Sequence, residues 1–516
     1  MRISTKQLAN AGLNNILNQQ TRLNKTQGQL ATGLRIQKPS DDPAGATRVL
    51  GFKKTIQQTE QYQANIDTAR QYLDIEESSL NSIVTNLQRV RELAIQANSD
   101  TQTANTRSII ADEVNERLEE LLSLANTRNA NGEFIFSGFQ GQTQPFSRAA
   151  GNTFVYNGDQ GQRFLQVSPS RQIISGDSGS DVFLQIRNGN GTFNTQDNNL
   201  NTGVGIISQG VVTDATIIDG DRYNLIFPNT TTASNTLTFN DVVGTNDNLD
   251  YNLQINGTTV YSVDETGTPI NSLSALATQI NLSSGTTNVR AYVDAGVLYL
   301  GNTSPSNTGI VINETLSGLS AGDGDTLTGY FGTTLTEAAP SNITTLAVGA
   351  ADRYLVEDSQ GNIETSGAFQ SGGVINFNGQ QVSVTGIPQN GDIFTISPSN
   401  NQSVFTTVQN LAEVLRGGST NSTNFHNLMN DVLADLDLAQ ESLVSTRSNL
   451  GSRQNALDNQ FDLNDDSILR FKSTVSNLED IDYASAVSDL NLQLVGLQAA
   501  QQAYSRVQNL SLFNFL

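Results

Sequence analysis

The sequence predicts an α+β multidomain chain: a long antiparallel helical rod built from both chain ends, with an inserted β-rich region of one or two domains. Three observations carry this. From Tyr62 to Ala97 the residues Tyr62, Ile66, Ala69, Leu73, Glu76, Leu80, Ile83, Leu87, Val90, Ala94 and Ala97 fall at alternating steps of four and three, a heptad seam with one polar interruption at Glu76. Far along the chain, Met429, Val432, Leu436, Ala439, Leu443, Thr446, Leu450 and Leu457 repeat that spacing, with Arg453 as the one charged member. Between them, from about Glu133 to Ser399, the period is two and the texture is Thr, Val, Ile and Asn. A helix over Tyr62–Ala97 would be roughly 54 Å long at 1.5 Å per residue, so it must lie against other long helices.

Taken in order, Leu13, Ile16, Gln20, Leu23, Gln27 and Leu30 make a short seam that contains two glutamines and ends at Gly33, placed as the left-handed residue after a helix. In isolation such a helix is marginal in water, so it needs a partner. Lys38-Pro39-Ser-Asp41-Asp42-Pro43 follows. Asp41 or Asp42 can accept the free amides of the next helix, and Pro43 suits its first position because its missing N–H would be unpaired there. The long helix then runs from near Pro43 to about Asn98. Ile110, Val114, Leu118, Leu121 and Ala125 predict a second amphipathic helix to about Arg128.

Glu133–Gln140, Thr153–Tyr156 and Gln162–Val167 read as short strands. Turn signals stand at Asn131-Gly132, Asn157-Gly158, Asp219-Gly220, Asn256-Gly257, Asn378-Gly379 and Asn390-Gly391. Gly220–Phe227 and Gly391–Ser397 are similar in pattern and suggest two related strand starts. Ile270–Ile280 is a short helix. The helical period returns with Val408, Leu411 and Leu415, then in the return helix from about Asn424. Asn464-Asp465-Asp466 and Glu479-Asp480-Ile481-Asp482 read as joints or caps. The last helix carries Tyr483, Val487, Leu490, Leu494, Leu497, Gln501 and Tyr504 at heptad spacing, and Leu510–Leu516 is apolar, a surface awaiting burial.

The 516 residues carry a formal charge of −22 and a pI near 4.3, which argues against binding nucleic acid or an anionic membrane. The acid is uneven: Met1–Lys54 holds Arg2, Lys6, Arg22, Lys25, Arg35, Lys38, Arg48, Lys53 and Lys54 against only Asp41 and Asp42. With no cysteine and no tryptophan, disulfides, thiol chemistry and Cys-based zinc sites are out. The opening residues have no apolar core of a cleaved signal, and no apolar run is long enough to span a membrane.

Little points to catalysis. His426, the single histidine, would sit on the first turn of a helix with no nucleophile elbow nearby, so it reads as structural or merely exposed. Asp323-Gly-Asp325 resembles a fragment of a calcium loop without the remaining ligands, and reads as a solvated acidic turn. Pairs such as Glu119-Glu120 and Asp465-Asp466 are ordinary on solvated helix faces. No phosphate-binding glycine loop follows a strand. No cofactor or metal is expected.

Gly33-Leu-Arg-Ile-Gln-Lys-Pro-Ser-Asp-Asp-Pro-Ala-Gly45, Leu87-Gln-Arg-Val-Arg-Glu-Leu-Ala-Ile-Gln-Ala97 and Leu478-Glu-Asp-Ile-Asp-Tyr-Ala-Ser-Ala-Val487 together resemble bacterial flagellin and its relatives. Within that superfamily, the opening Met1-Arg-Ile-Ser-Thr5 and the passage Asn131-Gly-Glu-Phe-Ile-Phe-Ser-Gly-Phe139 with Pro145-Phe146 are similar to the hook-associated junction branch. Gly391 to Phe405 is similar to that branch's return passage. Ser272–Gly301 resembles a β module of some flagellins, which keeps a filament subunit as the alternative reading. A secreted glycan-binding or hydrolytic protein using the β region is a third, from another class. The resemblance covers about 1–150 and 400–516 and weakens between them.

The resemblance implies a structural, non-enzymatic protein at the distal end of the hook, exported unfolded through the flagellar type III channel. Its implied partners are copies of itself in a helical ring, the first hook-associated protein, flagellin, and an export chaperone on the C-terminal helix. The implied division is 1–42 with 480–516 as a terminal coiled-coil assembly domain and 43–149 with 401–479 as a helical rod. Residues 150–400 are then the outward β-rich region, with a possible insertion near 240–340. Subunit contacts are expected at Leu13, Ile16, Leu23, Leu30, Tyr483, Val487, Leu490, Leu494, Leu497 and Tyr504, and the helix cap and joint at Pro39, Asp41, Asp42 and Pro43. The terminal segments are expected to be largely disordered in the monomer, since neither buries enough apolar surface to offset about 1–2 kcal/mol of ordering entropy per residue.

Overall fold

The computed structural model describes residues 5–149, 153–230, 233, 238–240, 249–264, 267–303, 309–318, 326–332, 334–336, 338–347, 349–417 and 422–509. The opening residues 1–4, the acidic turn at 323–325 and the apolar tail at 510–516 lie outside the described residues. Helices in chain order are α1 (Thr5–Thr32), α2 (Pro43–Ala97), α3 (Ala104–Ala125), the short α4 (Gly179–Phe183), α5 (Leu273–Leu282), the single-turn α6 (Ser284–Thr287), α7 (Val404–Arg416), α8 (Ser422–Glu479) and α9 (Tyr483–Asn509). The chain forms two compact units, one from Met1–Asp74, Arg163–Ser175 and Leu450–Leu516, the other from Ile75–Gln162 and Gly176–Asn449, so α2 and α8 each contribute to both.

In the first unit α2 starts where Asp42 Oδ1 accepts the N–H of Gly45 at 2.9 Å, with Pro43 as the first helical residue. α2 and α8 run antiparallel. Lys53 pairs with Glu479 at 2.6 Å, Arg70 with Asp458 at 2.5 Å and Lys472 with Glu60 at 3.1 Å, while Ile56, Ile66, Leu73, Leu457 and Ile468 are buried along the seam. The hairpin Phe164–Ser168/Arg171–Ile174 belongs to this unit. Asn65 Nδ2 donates to the Gln166 carbonyl at 2.8 Å and Asn464 Nδ2 to the Val167 carbonyl at 3.0 Å. That corrects the joint expected at Asn464-Asp465-Asp466: α8 continues unbroken to Glu479, and Asn464 is a buried donor that holds the hairpin.

In the second unit the heptad seam becomes the core of a bundle. Leu80, Ile83, Leu87, Val90, Ala94 and Ala97 of α2 are fully buried, as are Val114, Leu118 and Leu121 of α3, Val408 and Leu411 of α7, and Met429, Leu436 and Leu443 of α8. Arg91 meets Asp437 and Arg447 meets Glu77 across α2 and α8. Arg89 meets Glu113 across α2 and α3, and Arg416 meets Asp112 across α7 and α3. Glu76 is 2% exposed and its Oε1 accepts the Asp177 N–H at 3.2 Å, so the polar interruption receives the chain where it enters the β-rich region. His426 is structural: its ring nitrogens face Asn98 at 2.8 Å and Asp100 at 3.0 Å at the turn after α2, beside Phe425 under the Arg107 guanidinium.

The strand expected over Glu133–Gln140 is instead a run of turns. Gly138 has φ +68°, and a Cβ there would strike Asp159. The alternation of Phe134 and Phe136 reflects aromatic anchoring. The Phe136 ring stands 5.0 Å from Phe183, and Phe146 reaches Phe183 at 5.4 Å and Phe405 at 4.9 Å.

Beyond it, a five-stranded antiparallel sheet runs Ile363–Ala368, Arg353–Glu357, Tyr223–Ile226, Ile393–Pro398, Phe193–Asp197. The two similar motifs noticed in the sequence are neighbours here, with Ile226 opposite Ile393 and Leu225 opposite Phe394. Gly391 N–H donates to the Phe227 carbonyl and Phe227 N–H to the Asp392 carbonyl, at 2.7 and 3.0 Å. Residues 249–346 carry a core of their own, in which Tyr251, Leu253 and Ile312 of the sheet Thr258–Asp264, Asp250–Ile255, Ile310–Ser317, Ser341–Leu346 pack on Leu276 and Ile280 of α5. Asn256-Gly257 and Asn378-Gly379 make two-residue hairpin turns with positive φ at both positions.

The first turns of α8 dock on this region through acids. Gln209 Nε2 donates to Asp431 at 2.5 Å and the Gly189 N–H to Asp435 at 2.8 Å. Burial pushes the Asp431 carboxyl up to about 7, relieved by the Gln209 amide and reinforced by Asp435 and Asp197.

Candidate assembly surface

α1 and α9 pack antiparallel within the first unit, in a register set by small residues. A Cβ on Gly12 would lie 3.0 Å from the Tyr504 ring, one on Gly496 3.2 Å from the Gln19 amide, and one on Gly33 3.0 Å from the Tyr483 hydroxyl. The residues turned inward on α1 are Gly12, Ile16, Gln19, Leu23, Thr26 and Leu30, and on α9 Ala486, Leu490, Gln493, Leu497, Ala500 and Tyr504. Both sets step by four and three.

The ten expected contact residues therefore fall into two groups. Ile16, Leu23, Leu30, Leu490, Leu497 and Tyr504 face the partner helix, with Leu23 buried and the others partly buried. Leu13, Tyr483, Val487 and Leu494 are exposed, as is Leu17, which sequence reasoning missed. At about 100° per residue, Leu13, Val487 and Leu494 stand some 80–100° round from the seam in the same rotational sense, and in an antiparallel pair that puts both stripes on one face. The opposite face carries Asn15, Asn18 and Arg22 of α1 with Ser485 and Asp489 of α9, and Leu492 as its large apolar member. The two-helix layer is thus uneven: Leu13, Leu17, Val487 and Leu494 lie uncovered on one side, the other side is mainly polar with Leu492 exposed on it, and Val495 is exposed opposite the seam.

A clasp holds this layer to α2 and α8. Gly33, at φ +74°, ends α1, and Ile481 N–H donates to its carbonyl at 2.9 Å. Arg35 N–H donates to the Glu479 carbonyl at 2.6 Å and the Arg35 guanidinium to the Leu478 carbonyl at 2.5 Å, while Leu34 and Asp480 form an antiparallel bridge. Asp482 Oδ1 accepts the Ala484 N–H at 3.0 Å and caps α9. Of the four expected cap and joint residues, Asp42 caps α2 and Pro43 opens it, Pro39 is an exposed residue of the turn, and Asp41 ties the loop. Asp41 pairs with Lys25 at 2.9 Å and accepts the Lys38 and Gln37 amides, and those bonds, Lys25 first, hold its carboxyl below the usual carboxylate range.

Among the described residues no group of three His, Asp or Glu could hold a metal ion, and no helix is long and apolar enough to cross a membrane.

The helical regions match a known family at both ends: the bacterial flagellin N-terminal helical region over residues 3–141 and the C-terminal helical region over 433–516. The flagellar hook-associated protein 3 of Salmonella typhimurium is 31% identical over 186 residues, 36% of this chain and 58% of that protein, and the Escherichia coli one is 32% identical over the same length. The chain therefore matches somewhat over half the length of these curated relatives. Phase 1 flagellin of Salmonella naestved is 34% identical over 135 residues, 26% of this chain and 27% of that one. Among solved structures, flagellar hook associated protein-3 from Legionella pneumophila aligns with a TM-score of 0.54 at 25% identity, covering 83% of this chain and 98% of that one. At 20% identity, the Xanthomonas campestris FlgL structure gives the same TM-score over 82% of this chain and 99% of its own, and speaks for the fold alone. The chain thus matches the flagellin helical regions at both termini and has the fold of hook associated protein-3.

Proposed function

We propose that this chain is a structural, non-catalytic element of the bacterial flagellum, joining the hook to the flagellin filament from the distal end of the hook. The observation that carries this reading is the alignment with the hook associated protein-3 structure over 83% of this chain and 98% of that one. Its partners are copies of itself in a helical ring, the first hook-associated protein beneath and flagellin above. The uneven α1–α9 layer supplies the means: Leu13, Leu17, Tyr483, Val487 and Leu494 are covered by neighbouring copies, Ile16, Leu23, Leu30, Leu490, Leu497 and Tyr504 hold the pair together, and the mainly polar face with Asn15, Asn18 and Arg22 turns to water. Pro39, Asp41, Asp42 and Pro43 set the joint. The chain travels unfolded through the flagellar type III channel, with an export chaperone on α9, the helix whose apolar stripe most needs shielding before assembly.

A filament subunit is the second reading, favoured by the match to phase 1 flagellin over 135 residues. Deleting the gene separates the two. Loss of a junction leaves hooks that shed flagellin monomers, whereas loss of a filament subunit leaves capped hooks. Labelled chain found along the filament instead of at its base would defeat the first reading. Glycan binding on an array, or turnover in a hydrolase panel, by the β-rich region of the full chain would favour the reading from another class.

A further inference from the structure

The α2–α8 pair of the first unit has two bare edges of opposite character. On α2, Leu50 is 70% exposed and Lys54, one turn on, is exposed with no charged partner among the described residues. Gly51 beside them has nothing within 4 Å of where a Cβ would stand, leaving room for a close approach. On α8, Leu463 is 60% and Leu469 67% exposed, flanking Asp462 and Asp466, which are also exposed and unpaired among the described residues; Arg470 borders the stripe. The seam between the two helices uses Val49, Ile56 and Thr59 on α2 and Leu457, Asn464 and Ile468 on α8. At about 100° per residue, Lys54 and Asp466 each lie roughly opposite that seam. The two edges point away from each other and cannot meet within one chain.

We propose that these edges are the two halves of a contact between copies: the α2 edge of one copy, Leu50 with Lys54, packs on the α8 edge of the next, Leu463 and Leu469 with Asp462 and Asp466. Charge complementarity names the occupant, since the basic residues of this chain concentrate before residue 55 and the remainder is acidic. The contact is heterologous, so each copy uses one edge and offers the other. It also carries a step. Lys472 lies against Glu60 and Asp458 against Arg70, so Asp466 is level with Ala64. That is roughly 15 Å along the pair from Lys54 at 1.5 Å per residue. Copies joined this way climb, giving a helical array and not a flat ring. The inference rests on the assembly reading above and adds to it a second layer of contact with a fixed polarity.

The chain has no cysteine, so introduced thiols report cleanly. The full chain carrying Lys54→Cys with Asp466→Cys is expressed in place of the wild type, flagella are isolated and mildly oxidised, and the chain is followed by immunoblot with and without reductant. A ladder of multimers is expected from the double variant and none from either single variant. Dimers from Lys54→Cys or Asp466→Cys alone would overturn the polarity. Chain present on the flagella without a ladder would overturn the contact and leave the assembly reading standing, whereas wild-type chain absent from the flagella would overturn that reading itself. As an independent variant, Lys54→Glu lowers the amount retained by about fivefold through like-charge contact, and Lys54→Glu with Asp466→Lys restores it. No rescue alongside an unchanged melting profile would count against the proposal.

Discussion

The two helical seams obey the same heptad rule with different content. From Leu80 to Ala97 the seam is filled by Leu, Ile, Val and Ala with no exposed member, and α3, α7 and α8 close round it. Between α1 and α9 the inward positions are Gly12, Gln19, Thr26, Gln493 and Ala500 as often as Leu, and the side-chain carbonyl oxygens of Gln19 and Gln493 are buried without a partner among the described residues. The lesson is that spacing fixes where a helix can pack, and composition decides whether that packing is finished within one chain.

The largest expected difference is in amide exchange on the purified monomer. Amides of Leu80–Val90 should outlast those of Leu490–Leu497 by on the order of a thousandfold, because the terminal pair opens locally while the bundle opens only with global unfolding. Equal protection would erase the comparison. Next, Phe405→Ala should cost about 3–5 kcal/mol in chemical denaturation, since its ring is fully buried against Phe146, Phe154 and Phe183. Leu23→Ala, also at a buried position, should speed exchange in α9 and leave the main transition where it is.

Acidity should act in opposite directions in the two units. Asp431, raised from 3.8 to about 7 by burial, binds a proton more readily folded than unfolded, so its contribution favours folding below pH 4 and is lost as the pH climbs to about 7. Asp431→Asn should therefore raise the melting temperature at pH 8 and change nothing at pH 3.5. Asp41 is lowered by Lys25, so what it contributes is present above its unfolded value of 3.8 and disappears as the pH falls through its folded one; Asp41→Asn should loosen the clasp at pH 7 but not in strong acid, as read by exchange at Gln37 and Lys38. Smallest of all, Val487→Ala with Leu494→Ala should change monomer stability by less than about 0.5 kcal/mol, yet remove the chain from isolated flagella.

Much of this frame was legible in sequence because period is a local property. The limits of α2, the start of α9 after Asp482 and the Asn-Gly hairpins follow from residues within a few positions of one another. The failures share a cause: a polar or aromatic residue whose partner is remote. Glu76 interrupts a heptad for the sake of a backbone amide at Asp177, and Asn464 looked like a helix end because the Val167 carbonyl it serves is almost three hundred residues earlier. Phe134 and Phe136 alternate like a strand because both are drawn into aromatic and cationic neighbours, Arg128 over Phe134 among them. In the terminal layer, following the apolar letters put Leu13 and Val487 on the seam. The inward positions belong to Gly12 and Ala486, small enough to let the backbones close up, and the missed Leu17 sits where a heptad count has no slot.

The clasp at Gly33–Arg35 and Leu478–Ile481 has a consequence for how load is carried. A segment hung from its neighbour by one strand of chain can spin about that strand. Here two strands cross side by side, stitched by main-chain bonds, and any swivel would have to shear the stitches. A twist applied to the layer formed by both chain ends therefore loads both crossings at once, and through them α2 and α8.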